Sequence, residues 1–349
     1  MTYLASDNTS GVCPEIMAAL AAANIGHAKS YGDDDYTHAL TASFRTFFAH
    51  DELEMFPVFN GSAANCLGLA GAMKPFESII CHAHSHIQQD ECGMPVFFTG
   101  GMMIGLDSDD GKISPIQLQT ALKQASNRGV HHSRPRILSI TQATEFGTIY
   151  ELAEIAELTK IAREYGLIVH MDGARFANAL VTLKSTPALM TWQNGVDILS
   201  FGGTKNGAML AEAVVVFNPK LAVDLPHLRK RAGQLASKQR YISVQLLALL
   251  QDDLWRKNAT NANVMAQMLA NEMAKIAGVK ILFPVQANEV FLHMQPELAQ
   301  KLLDCGHYFY GWRELGDDIY RLVTNWSSTH DEIMQFVDDA KNVALKIWH

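Results

Sequence analysis

The sequence predicts an α/β protein: a mostly parallel central sheet with helices on both faces, followed by a smaller C-terminal α+β domain. Three observations carry this. Short apolar runs alternate with helical stretches from about residue 54 to 217, the pattern of successive βα units. Two of those runs end in residues with chemistry to offer, LIVHMDGAR at Asp172 and DILSFGGTKNG at Lys205. Beyond them the texture shifts to long helices with a few separate strands. The division expected is an N-terminal segment, 1–20, a large α/β domain, 21–240, and a small domain, 241–349.

Composition narrows the class. With 349 residues, 48% of them hydrophobic and 18% charged, the chain can bury a substantial core. The net charge is −8 and the one basic run is Arg229-Lys230-Arg231, so nucleic acid is not the expected partner. The five cysteines are odd in number and form no CxxC pair, which points to a reducing compartment. MTYLASDNTSG is not a secretory leader, and no apolar stretch is long enough to span a bilayer. A cytoplasmic protein is expected.

In chain order, SDNTSG at Ser6–Gly11 is a polar turn, and Pro14 opens a helix, Glu15–Ala23. Tyr31-Gly32-Asp33-Asp34-Asp35 is an acidic loop before a helix over Thr37–Phe48. Glu54–Phe59 reads as a strand. The turn Asn60-Gly61-Ser62-Ala63-Ala64-Asn65 follows, then a small-residue helix through Cys66–Ala72. A glycine and a hydroxyl at a helix N-terminus form a ready anion site. Ser78–Cys81 is a strand leading into His82-Ala83-His84-Ser85-His86. Alternate histidines on one strand face could coordinate a metal, which sets up a rival, metal-dependent function.

Phe97–Gly105 carries no clear period. Pro115–Ala125 is helical, Ile137–Thr141 a strand, and Glu151–Tyr165 an amphipathic helix ended by Gly166. Leu167–Met171 delivers Asp172, and a helix begins near Arg175. Ile198–Phe201 is a buried strand that stops at Gly202-Gly203, where the backbone approaches something closely. Lys205 follows, and the apolar run Ala208–Phe217 comes after it. Leu228–Asp253 and Ala259–Ala277 read as long helices, Glu289–Met294 and Ile319–Thr324 as strands, and Asp331–Ile347 as a final helix. Arg321 sits in the strand IYRLVTNW. There a guanidinium needs a partner, either a salt bridge or a substrate carboxylate gripped bidentately.

An anion cradle, an acid and a lysine at successive strand ends, a histidine between cradle and acid in sequence, and a distant arginine fit what pyridoxal 5′-phosphate needs. Helix N–H groups suit its phosphate, a carboxylate keeps its ring nitrogen protonated, a lysine bonds its aldehyde, and an arginine holds an amino-acid carboxylate. A P-loop is excluded because Asn206 stands where Ser or Thr would follow the lysine.

SDNTSG, YGDD, NGSAAN, HIQQDECG, HMDGARFANA, SFGGTKNG and RLVTNW, in that order, resemble the threonine aldolase family of the β-eliminating lyase group, fold-type-I pyridoxal-phosphate enzymes. The likeness runs over most of the chain. It is greatest to low-specificity L-threonine aldolases and phenylserine aldolases.

The resemblance implies that Lys205 bonds the cofactor, Asp172 pairs with the ring nitrogen and Arg175 lies near the phenolic oxygen. It implies that His86 stacks on the ring, predicts no role for His82 and His84, and implies that Gly61, Ser62 and Ala63 cradle the phosphate. Ser6 and Arg321 would hold the substrate carboxylate. Tyr31 would lie near a subunit boundary, and Lys238 or Arg240 would match a basic position of the family. Many members carry histidine where this chain has Glu145, which leaves the catalytic base as Glu145, His86 or a water held by either.

The expected activity is cleavage of L-threonine or a related L-β-hydroxy-α-amino acid, phenylserine included, to glycine and an aldehyde, by a homodimer or homotetramer in amino-acid metabolism. The alternatives are another pyridoxal-phosphate-dependent amino-acid lyase acting by β-elimination, a metal-dependent hydrolase using His82, His84 and His86, and a silent binding protein on the same fold.

Overall fold

The computed structural model describes residues 1–127 and 129–348. Seven strands form the main sheet: β1 (Glu54–Val58), β2 (Glu77–His82), β3 (Met102–Leu106), β4 (Arg134–Thr141), β5 (Ile168–Gly173), β6 (Ile198–Gly202) and β7 (Glu212–Val216). Their order across the sheet is β1-β7-β6-β5-β4-β2-β3. Pairing is parallel from β3 through β6, and β7 runs antiparallel to both of its neighbours, β6 and β1. The expected mostly parallel sheet is therefore present, and β1, β4, β5 and β6 all end at the same edge. Ligands of open α/β sheets bind at that edge.

β5 and β6 are buried at every position, as the unbroken apolar runs require of strands covered on both faces. Phe201 in β6 packs edge-on against Phe44 at 5.1 Å, and Phe176 and Phe48 close the same aromatic cluster. This rigid packing holds the turn that carries Lys205.

Phe97–Gly105 resolves into a helix, Met94–Thr99, and strand β3. Gly100 joins them at φ +68°, and a Cβ on Gly101 would lie 2.6 Å from the Glu77 carbonyl oxygen. Steric need, rather than period, governs that stretch. The long helix expected over Leu228–Asp253 is two helices, Leu225–Arg231 and Arg240–Leu250. Gly233 at φ +72° breaks the first. The next helix starts at Leu254, after Asp252 and Asp253 in left-handed conformation, and ends at Met273.

The second sheet is antiparallel: β8 (Lys280–Ile281), β9 (Glu289–His293), β10 (Tyr310–Gly311) and β11 (Ile319–Val323), in the order β10-β11-β9-β8. The helices Leu254–Met273, Pro296–Asp304 and His330–Trp348 contribute to its apolar core, and Leu4 joins them there. The Leu4 N–H donates to the Tyr308 carbonyl and its own carbonyl accepts from Val323, both at 2.7 Å. The first residues of the chain thus ride on the second sheet and lead into the main site.

Candidate active site

A cavity of about 330 Å³ opens at the C-terminal edge of the parallel strands. Its walls include Gly61, Ser62, His86, Glu145, Asp172, Arg175 and Lys205, residues spread over 145 positions of chain (61 to 205). Asn65, Glu91, Thr141 and Glu212, which the sequence did not single out for roles, line it too.

The helix Gly61–Ala70 begins just past β1. Asn60 caps it by accepting the Ala63 N–H at 2.9 Å. That bond uses the Ala63 amide, and Ala63 is fully buried and off the cavity wall. The Gly61 and Ser62 amides have no hydrogen-bond partner among the described residues. Orphan N–H groups of a first helical turn are suited to an anion.

Asp172 stands at the end of β5, beside Thr141 of β4. Its Oδ1 accepts from the Ala174 N–H at 2.9 Å and its Oδ2 from Asn65 Nδ2 at 2.8 Å. Lys205 follows β6 in a short 3₁₀ turn, Thr204–Asn206, and forms no salt bridge among the described residues. The turn is held from two sides. Glu212 of β7 accepts the Gly203 and Thr204 N–H groups at 2.9 and 3.2 Å. From behind, Asn206 donates to the Trp255 carbonyl and Asn258 to the Asn206 carbonyl. Gly202 and Gly203 are there for room: a Cβ on either would lie 2.4 Å from a carbonyl oxygen, of Ala174 or of Ala211. Burial raises the Glu212 carboxyl to about 7.

The three alternate histidines do not share a strand face. β2 ends at His82, whose Nε2 meets Ser108 Oγ at 3.0 Å. His84 lies in the turn between Asp107 and Glu314, at 3.6 Å from each. His86 begins the helix His86–Gln89. The chain leaves the strand before the alternation can act, and no group of three or more His, Cys, Asp or Glu among the described residues is arranged to hold a metal.

His86 Nδ1 meets Glu91 at 3.0 Å, and its backbone N–H donates to Glu145 Oε1 at 2.7 Å. The bond to Glu91 holds the imidazole above its ordinary pKa. Glu145 Oε1 also accepts from Thr141 Oγ1 at 3.0 Å, while Oε2 is buried with no partner among the described residues. Burial, and then the Asp172 charge, raises the Glu145 carboxyl to about 7.

Arg175 donates to Asp7 from Nε and Nη2 and pairs with Glu289 through Nη1 at 3.1 Å. Arg321 lies off the cavity wall. It pairs with Glu289 at 3.3 Å, donates to the Ala5 carbonyl and stacks 4.5 Å over Trp312. Ser6 is also off the wall, where it caps the turn Asp7–Thr9. Lys238 lines a neighbouring hollow that shares Phe59 and Leu210 with the cavity. Arg240 contacts Tyr241, and Tyr31 is exposed beneath Lys230.

The fold and this site define a class, the fold-type-I pyridoxal-phosphate enzymes. A histidinol-phosphate aminotransferase from Clostridium acetobutylicum shares the fold at a TM-score of 0.75, covering 99% of this chain and all of its own, with 13% identity. Within that class the chain belongs to the beta-eliminating lyase family, whose profile matches residues 3–297. It is 42% identical over 341 residues to the low specificity L-threonine aldolase of Pseudomonas sp. (strain NCIMB 10558), spanning 97% of each chain. The Pseudomonas aeruginosa enzyme of the same name is 41% identical, again over 97% of each. The structure of Leishmania major threonine aldolase superposes with a TM-score of 0.93, covering 99% of this chain and 100% of that one, at 26% identity. The family is pyridoxal-phosphate-dependent, as the resemblance implied.

Proposed function

We propose that this protein binds pyridoxal 5′-phosphate and cleaves L-threonine and related L-β-hydroxy-α-amino acids, phenylserine among them, to glycine and an aldehyde. The observation that carries the reading is one cavity bringing together an orphan-amide helix start, the Asp172 carboxylate and a lysine with no salt bridge among the described residues, in a chain 42% identical to a threonine aldolase. The donor set fits the cofactor. Gly61 and Ser62 offer amides for the phosphate, with Ala63 inside the same turn, Asp172 an acceptor for the ring nitrogen, and Lys205 a nucleophile for the aldehyde. Arg175 borders the same space. When bound, pyridoxal phosphate supplies an electron sink for the pair released as Cα–Cβ breaks.

The chain's own residues do the rest. Arg321 and Ser6, which lie off the cavity wall, are the residues the family resemblance gives to the substrate carboxylate, and His86, on the wall, would face the ring. Cleavage requires a base for the β-hydroxyl proton as the C–O bond becomes the aldehyde carbonyl. His86 Nε2 and Glu145 Oε2 belong to wall residues and have no partner among the described residues, which makes both candidates for that base. Two pyridoxal-phosphate-dependent outcomes, retro-aldol cleavage and β-elimination, differ in products.

Purified protein incubated with pyridoxal phosphate should show a visible absorption band that shifts on adding glycine. With threonine or phenylserine it should release glycine in equal amount to the aldehyde. A keto acid and ammonia in place of glycine would transfer the protein to β-elimination, and no band would remove the cofactor. A cytoplasmic homodimer or homotetramer completes the proposal. All five cysteines are unpaired, and Ile25, Tyr31, Met209 and Leu210 are exposed hydrophobics for a second copy to cover.

A further inference from the structure

We propose that Glu91 and Asn65 are positioning residues for the site histidine: Glu91 fixes the His86 ring with a proton on Nδ1, leaving Nε2 to the cavity, and Asn65 ties that ring to the Asp172 carboxylate. The inference rests on the reading above in one respect, that His86 faces the reacting group.

The geometry is a continuous chain. Asn65 Nδ2 donates one hydrogen to Asp172 Oδ2 at 2.8 Å and the other to Glu91 Oε1 at 2.9 Å. Two carboxylates on one amide nitrogen settle which end of the amide faces them, because its oxygen would repel both. The cost is visible on the other side, where Asn65 Oδ1 is buried with no partner among the described residues. Glu91 Oε1 then meets His86 Nδ1 at 3.0 Å, and Glu91 Oε2 accepts weakly from Cys66 Sγ at 3.5 Å.

The Glu91 side chain is fully buried, and no Lys or Arg pairs with it among the described residues. A buried carboxylate must draw donors from what surrounds it. Here the donors are Asn65, Cys66 and the His86 ring, so the ring presents N–H at Nδ1. The nitrogen left over, Nε2, has no hydrogen bond among the described residues and belongs to a side chain that lines the cavity. A carboxylate behind one imidazole nitrogen sets the tautomer and strengthens the other nitrogen as a base.

Asn65 lies in the helix whose first turn offers the orphan amides, so one element carries both the anion site and the bridge. The charged groups facing His86 are Glu91 and Asp172, which favour its cation, and Lys205, which opposes it. Glu145 touches its backbone N–H.

The test is the pH dependence of diethylpyrocarbonate modification of His86, read peptide by peptide by mass spectrometry on the full-length protein. The His86 side chain is 41% exposed and open to the reagent. Wild type should modify with a midpoint above 6.5. Glu91→Gln should lower the midpoint by about one unit, a roughly tenfold faster reaction at low pH. Asn65→Ser should move it upward, because Glu91 and Asp172 each lose a competing donor. Opposite shifts are not what general loosening of the site produces. An unmoved midpoint in Glu91→Gln overturns the proposal. If that variant does not fold, Asn65→Ser with no upward shift overturns it as well. Midpoints that move as expected while the pH profile of glycine release from threonine stays fixed support the positioning pair. That result would remove His86 as the base in the reading above, so the two failures are distinct.

Discussion

Asp7 and Arg175 form a buried bidentate pair, Nε to Oδ2 at 2.8 Å and Nη2 to Oδ1 at 3.1 Å. It joins the first residues of the chain to the start of the helix Phe176–Leu183, directly on the cavity wall. Burial opposes the Asp7 charge, yet Arg175 and Lys205 prevail and hold the carboxyl below its usual range. Asp7→Asn keeps the shape and removes the charge, leaving Arg175 to Glu289 alone. Breaking a buried pair from one side costs about 3 kcal/mol or more. Urea unfolding at neutral pH should show that loss with an unchanged m-value. The depressed pKa means this stabilisation is present above pH 3.8 and is lost as pH falls through the lower folded value, so variant and wild type should converge in strong acid.

Gly202→Ala tests the close approach that positions Lys205. The added Cβ would lie 2.4 Å from the Ala174 oxygen, a backbone atom that cannot swing aside as a side chain would. We expect roughly 2–3 kcal/mol of destabilisation by denaturant titration. The cofactor-dependent absorption should fall more than the stability loss alone explains. An unaffected protein would mean that the turn shifts freely.

The strand ends at Asn60, Asp172 and Lys205 were legible because each apolar run stops at residues that cannot continue it, and the parallel order follows from alternation with helices. Gly202-Gly203 read correctly as a close approach for the same local reason. Other features were out of reach. Asn65 and Glu91 stand inside the motifs NGSAAN and HIQQDECG, but no local pattern gives them a role; their meaning lies in bonds to Asp172 and His86 across the fold. Glu212 interrupts an apolar run and gains significance only because β7 runs antiparallel beside β6, which brings it to Gly203 and Thr204. The histidine alternation misled because strand period was extended past the end of β2. The break at Gly233 was hidden inside a sequence otherwise suited to helix.

Lys205→Ala should leave the fold intact, since the turn is held through backbone amides and Asn206 rather than through the lysine side chain. Glycine release from threonine should vanish and the visible band should be lost, while circular dichroism stays unchanged. Steady-state turnover in this variant would sink the assignment of Lys205.

Arg321→Ala separates two roles. Its Nη1 pairs with Glu289, which also pairs with Arg175, so the acid keeps one partner in the variant. If Arg321 binds the substrate carboxylate, KM for threonine should rise about 10- to 100-fold, the effect of losing a charge-assisted contact. An unchanged KM with lowered stability would leave Arg321 a structural residue of the second sheet.

Glu145 gives a prediction in which the sign is decisive. Burial raises its carboxyl to about 7 from 4.5, so the folded state holds this proton more tightly than the unfolded chain. Between pH 4.5 and about 7 the folded protein binds more protons here, and stability must fall as pH rises through that window. Glu212 carries a shift of the same sign. His170, lowered to about 4 by burial, works in the opposite direction. The wild-type curve alone therefore mixes several groups. The difference between Glu145→Gln and wild type isolates one. The variant has no charge to bury, so its stability relative to wild type should rise by about 2 kcal/mol from pH 5.5 to 7.5. Urea titrations of both proteins at the two pH values, without added cofactor, measure it. A difference that stays flat across the window would mean that Glu145 ionises freely, and the unpartnered Oε2 would then be an ordinary carboxylate oxygen at every pH of interest.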